Sequence, residues 1–172
     1  MNNQNSMLIK AQIGAMVISL VVFILIAVWY LIPLLKRLSK PKAIIVLLWV
    51  HIPRYITLIM YSAQRECYPI SAIAAKEAVV GDVVGAIVAL AAIAAFRKRE
   101  RLGILFSWLL VIETIVDVVV GFVRKAHEPL WGKASGVTWL ILDFYIPLIL
   151  ICLPLLIWQL ISRSDSATFS GL

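Results

Sequence analysis

Five unbroken apolar runs, at residues 13–35, 43–62, 78–96, 102–123 and 137–161, leave this chain few ways to fold. Each is roughly 19 to 25 residues, and a helix rising about 1.5 Å per residue needs about 20 to cross the hydrocarbon layer of a bilayer. The runs are continuous rather than alternating apolar and polar, which favours helices over the strands of a membrane barrel. The expected fold is therefore an all-α integral membrane protein, a single transmembrane domain over residues 1–172 with helices at about 13–35, 43–62, 71–97, 102–123 and 137–161. Ser71 after Pro69 reads as a helix cap, so the third helix starts ahead of its apolar run.

Composition agrees. Hydrophobic residues make up 63% and charged residues 15%, with a mean hydropathy of +1.01, against roughly 45–50% and about 25% in soluble domains. The net charge of +7 does not point to nucleic acid, because no basic stripe alternates with aromatics and basic residues at the ends of apolar runs are a topology signal. Lys10 precedes a run too long for a secretory signal, so the first helix is read as retained, with Met1–Met7 as a solvated tail.

Orientation follows from the lysines and arginines of the linkers. Lys36, Arg37, Lys40, Lys42, Arg97, Lys98, Arg99, Arg101 and Arg163 fall on one side, against Lys10, Arg65, Lys76, Arg124, Lys125 and Lys133 on the other. Nine against six places the N-terminus outside and the C-terminus in the cytoplasm of a plasma or inner membrane. The stretch 124–136, with Pro129, Gly132 and Gly136, reads as an irregular external loop.

Inside the runs lie His51, Arg54, Asp82, Glu113, Asp117 and Asp143. A charged group at the bilayer centre is costly, so such residues face partners or a watery cavity and mark functional sites. Helical spacing puts His51, Arg54, Tyr55, Leu58 and Ser62 on one face of the second helix, and Glu113, Asp117, Gly121 and Arg124 on one face of the fourth. Asp82 shares a face with Gly85, Ala86 and Ala89, and Asp143 with Trp139, Pro147 and Pro154. Helices two to five thus each have a polar side and are expected to form a four-helix bundle, with the uncharged first helix peripheral. Gly81 and Gly85 suggest a close approach of helix backbones. Pro147 and Pro154 are expected to kink the fifth helix and free carbonyls near Asp143 and Leu150.

With the topology above, His51 and Glu113 fall near mid-membrane and the cluster opens outward. Val88, Leu90, Ile93, Leu105, Leu150 and Leu153 are expected to form a dry plug beneath it. Four acids against one arginine leave negative charge uncompensated.

Three functions compete. In the first, His51, Arg54, Tyr55, Asp82, Glu113, Asp117 and Asp143 line a pocket for binding or transport of a proton, cation or small cationic ligand; carboxylates and histidine in a low-dielectric interior suit proton relay, and oxygen clusters suit hard cations. In the second, Glu113, Asp117 and His51 do acid–base chemistry on a lipid or isoprenoid, with Trp49, Trp108, Trp139, Tyr55 and Tyr145 shaping the cavity. The third is a structural subunit that packs against a membrane partner or a second copy of itself. No nucleophilic triad accompanies His51. His51 and His127 have no metal-site spacing, and neither Cys67 nor Cys152 suggests a bridge or metal site.

Overall fold

The computed structural model describes residues 2–63, 69–127, 132–134 and 136–162, and every regular element among them is helical. Five helices are long and apolar enough to cross a membrane. They are α1 (2–37), α2 (40–63), α3 (Ala72–Phe96), α4 (Glu100–His127) and α5 (136–162). Helix α1 already begins at Asn2, so residues 2–7 extend the helix instead of forming a tail. Helix α4 likewise continues to His127, into the stretch expected to be loop.

Short links separate α1 from α2 and α3 from α4, and a serine cap opens α3. Ser39, in extended conformation before Pro41, starts α2, and its carbonyl accepts from Ala43 N–H at 2.9 Å. The Ser71 side chain accepts from Ala74 N–H at 3.2 Å, capping α3 as the sequence suggests. Between α3 and α4 the chain turns tightly enough for the Phe96 ring to lie where a Cβ on Gly103 would be. Leu35, Leu38, Ala43 and Phe96 belong to one apolar cluster, so the basic 36–42 and 97–101 segments sit at the same end of the molecule. The Lys40 ammonium donates to the Leu160 carbonyl there, at 3.2 Å.

Three prolines alter the winding of the helices that contain them. Pro33 and Pro147 have no N–H to donate to the carbonyl four residues back. One residue before each, the chain takes a π turn: Ile32 N–H donates to Ala27 O, and Ile146 N–H to Ile141 O, each five residues back. Pro53 opens a 3-10 segment, Ile52–Ile59, that is 8 residues long; such runs seldom exceed about four residues. Pro154 lies inside the continuous α-helical stretch Ile146–Ser162, where its missing N–H leaves the Leu150 carbonyl without the donor four residues on.

The 3-10 winding decides which side of α2 faces inward. Residues three apart eclipse in a 3-10 helix, and His51, Arg54, Thr57 and Met60 are all buried. Tyr55, Leu58 and Ser62, expected on the same face as His51 and Arg54, are exposed instead. In 3-10 geometry Pro53 also leaves the Val50 carbonyl without its donor, and the Tyr145 hydroxyl donates to it at 2.9 Å. Tyr145→Phe is expected to cost about 0.5–1.5 kcal/mol, read as a lower midpoint of thermal unfolding in detergent; an unchanged midpoint removes this bond from the account.

Two apolar clusters bracket the middle of the helices. The larger contains Leu47 and Leu48 of α2, Ala89 and Ile93 of α3, Leu110 and Val111 of α4, and Leu153 and Leu156 of α5. The smaller contains Met60, Val79, Ala134, Ile141 and Leu142. Of the side chains expected in the dry plug, Ile93 and Leu153 are buried, Val88 and Leu150 are half-buried, and Leu90 and Leu105 face outward. Helix α1 packs on α5, where the Phe23 and Phe144 rings meet edge-on at 4.9 Å. Gln12, buried on α1, accepts from Gly132 N–H at 2.6 Å, and Gly132 takes a φ of 74°. This left-handed turn suits glycine.

Candidate functional site

Arg54 lies in the gap between the two apolar clusters and is 1% exposed. A guanidinium has five N–H donors and no acceptor, and here five bonds leave it. Nε donates to Asp82 Oδ1 at 2.7 Å. Nη1 donates to Glu113 Oε2 and to Thr114 Oγ1, both at 2.8 Å. Nη2 donates to Glu113 Oε1 at 3.3 Å and to Asp117 Oδ2 at 2.8 Å. Glu113 is therefore gripped bidentately, the geometry that makes arginine–carboxylate pairs strong and directional.

Helices α3 and α4 present these acceptors because Asp82, Glu113 and Asp117 follow helical spacing on facing sides. The glycine stripe of α3 makes the room. A Cβ on Gly85 would lie 2.7 Å from Arg54 Cζ and 2.8 Å from Glu113 Oε2, and one on Gly81 would lie against the Asp117 carboxylate. The nearest atoms to both glycines are these charged side chains, so the stripe seats the ion cluster.

Charge does not balance within the cluster. One guanidinium faces three carboxyl groups, a formal excess of two negative charges if all are ionised. Their outer edges remain open, with side-chain exposures of 19% for Asp82, 16% for Glu113 and 27% for Asp117. Arg54 has no N–H left to bind an anion. Among the described residues, no three His, Cys, Asp or Glu side chains converge as a metal site.

The sequence-nominated residues separate into three groups. Arg54, Asp82, Glu113 and Asp117 come together. His51 is fully buried one turn before Arg54, and neither ring nitrogen has a hydrogen-bond partner among the described residues. Asp143 is buried in the π turn of α5 and is not bonded to Arg54, while Tyr55 is on the outer face, 56% exposed. The Arg124, Cys67 and His127 side chains lie outside the described residues.

Two threonines that the charge pattern does not single out complete the cluster. Thr114, 0% exposed, accepts from Arg54 and reaches Glu113 Oε2 at 3.3 Å. Thr57 donates to the Arg54 carbonyl at 2.9 Å. Their signal was present in the sequence: Thr57 stands three residues after Arg54, and Thr114 directly follows Glu113. Of the aromatic side chains expected to shape a lipid-binding cavity, Trp49 and Tyr55 face outward, while Trp108, Trp139 and Tyr145 are half-buried.

A family profile matches residues 12–161, nearly the whole helical body and every member of the cluster. The chain belongs to the domain of unknown function family DUF8737. No curated protein matches the chain. No solved structure matches it either.

Proposed function

We propose that this DUF8737 protein is a multi-pass membrane protein whose Arg54–Asp82–Glu113–Asp117 cluster takes up and releases protons. The observation that carries this reading is the pair of negative charges left after Arg54 has spent all five donors. Protons from solvent meet that excess with the least rearrangement. A small organic cation would have to displace the guanidinium that already fills the space between the acids, so the proton is favoured among the cationic ligands considered.

Membrane insertion is supported by the five long apolar helices and by large apolar side chains exposed on each, among them Ile18, Trp49, Ile73, Leu105 and Phe144; soluble monomers rarely expose apolar patches above a few hundred Å². We place the N-terminus outside and the C-terminus inside, with helices α2–α5 as a bundle and α1 against α5. The basic segments at one end then contact the cytoplasmic leaflet. In this orientation the cluster lies in the outer half of the membrane and the larger apolar cluster lies beneath it, closing the inner half. Flux across the membrane would need that inner layer to open, and a small bundle of this kind would work as an oligomer or with a membrane partner subunit.

The test is proton uptake. In proteoliposomes of the full chain, pH-difference infrared spectra are expected to show a protonated-carboxyl band. Glu113→Gln and Asp117→Asn should each remove or shift it, and should reduce any proton flux seen for the wild type. A wild-type spectrum with no titrating carboxyl band between acid and alkaline pH rejects the proposal.

A second reading has its own support. A saturated Arg54 joining α2, α3 and α4 is what a lock on helix register would look like, and buried polar groups do serve that role in some proteins. Under this reading the neutral variants change stability but no carboxyl band titrates. Lipid chemistry draws no comparable support, since two of its proposed aromatic walls face outward.

A further inference from the structure

The ion cluster leaves His51 unexplained. A neutral imidazole has one N–H donor and one acceptor nitrogen, and buried polar atoms in folded proteins are nearly always paired with protein or ordered water. His51 is 0% exposed, yet Nδ1 and Nε2 both lack a partner among the described residues. Nearby donors are committed elsewhere. All five Arg54 N–H groups go to Asp82, Glu113, Thr114 and Asp117. The Thr57 hydroxyl goes to the Arg54 carbonyl, and the Tyr145 hydroxyl to the carbonyl of Val50, the residue next to His51.

Capacity to accept remains, however, on the Tyr145 oxygen and on the carboxylates. Tyr145 reaches the carbonyl next to His51 at 2.9 Å, and Arg54 follows His51 by one 3-10 turn on the same buried row. The imidazole, the hydroxyl and the inner edge of the cluster thus belong to one neighbourhood. Leu47 and Leu48, fully buried, follow on the far side of His51 along α2.

We infer that His51 holds internal water, which carries the hydrogen-bonded network of the Arg54 cluster one turn deeper and ends at the apolar layer. A buried site with several polar partners is where proteins keep such water. The role of that water rests on the proton reading above: held by the neutral imidazole, it accepts a proton from one carboxylic acid of the cluster as it gives one up to a neighbouring carboxylate, so the acid is regenerated across the cluster with no change in charge or electron count. The groups that set this balance are Arg54 on the same helix, Asp82 on α3, Glu113 and Asp117 on α4, and Tyr145 and Cys152 on α5. Helix α1 has no charged residue between Lys10 and Lys36.

Because the chain has 2 histidines, His127→Gln leaves His51 as the sole imidazole. In the full chain labelled with 15N-histidine in lipid bilayers, the His51 ring signals are expected to correlate with water and to exchange rapidly. In proteoliposomes, His51→Phe should keep its thermal midpoint while proton flux falls by about tenfold or more, the scale of a lost positioned proton carrier. A ring with no water correlation and slow exchange overturns the inference. So does His51→Phe that loses stability while flux is unchanged, which would make His51 a packing residue. A water correlation in a wild type without proton uptake leaves the hydration site standing and rejects the proton function; uptake with a dry His51 does the reverse.

Discussion

Arg54→Met is expected to destabilise the protein by about 3–5 kcal/mol, the cost of stranding buried charges without their partner. For a chain of this size that is on the order of 10 °C in the thermal midpoint. The loss goes beyond one side chain, because Asp82, Glu113, Asp117 and Thr114 all surrender bonds to the same guanidinium. Arg54→Lys keeps the positive charge but has three donors in place of a planar fork, and should fall between the two. The decisive variant combines Arg54→Met with Asp82→Asn, Glu113→Gln and Asp117→Asn. This combination strands no buried charge, which is the main cost of removing one partner alone, so it should recover part of the midpoint even though the amides lose the Arg54 donors. If it is no more stable than Arg54→Met alone, as measured by thermal unfolding in detergent, the ion cluster is not what Arg54 contributes.

Which parts of this site could be read from the sequence depended on whether a regular helix was the right ruler. On α3 and α4 it was: Asp82, Glu113 and Asp117 sit where 3.6-residue spacing puts them, facing one another. On α2 the same ruler failed. Pro53 winds Ile52–Ile59 as a 3-10 helix, so the inward row advances by three residues, admits Thr57 and turns Tyr55 out. On α5 the π turn at Ile141–Tyr145 shifts the register again, leaving Asp143 buried apart from Arg54. Propensity shows that a proline disturbs a helix; packing of neighbouring helices decides whether the turn tightens, widens or, as at Pro154, does neither.

The five spans were legible for a plainer reason, since length and hydropathy of a continuous run depend little on tertiary context. Their ends were less so. The polar residues 2–7 and the stretch before His127 continue helices past the apolar boundary, where hydrogen bonding along the backbone needs no apolar sequence. The acid excess also changed in kind. Read along the chain, it was four acids against one base; in space it is three acids sharing one arginine, with Asp143 elsewhere and His51 next in line.

Gly85→Ala is the smallest change expected to disturb the site, and its effect can be ranked against the other glycines. The added Cβ would meet Arg54 Nη1 first, with Cζ at 2.7 Å and Glu113 Oε2 at 2.8 Å. The end of an arginine usually swings aside at little cost, but this one is fixed by five bonds to two neighbouring helices. Moving it breaks several bonds at once, so a loss of about 1–3 kcal/mol is expected, as for overpacking of a filled core. At Gly81 the obstacle is Asp117, which is held to Arg54 through Oδ2 and has an open outer edge; rotation relieves the clash, and Gly81→Ala should cost less. At Gly121 a Cβ meets nothing within 4 Å, and alanine there should be neutral or stabilising by up to about 1 kcal/mol through helix propensity. Thermal midpoints in detergent should therefore fall in the order Gly121→Ala, Gly81→Ala, Gly85→Ala. Equal midpoints for the first and last would mean that Arg54 does not lie over Gly85, and with that the seat of the cluster would be lost.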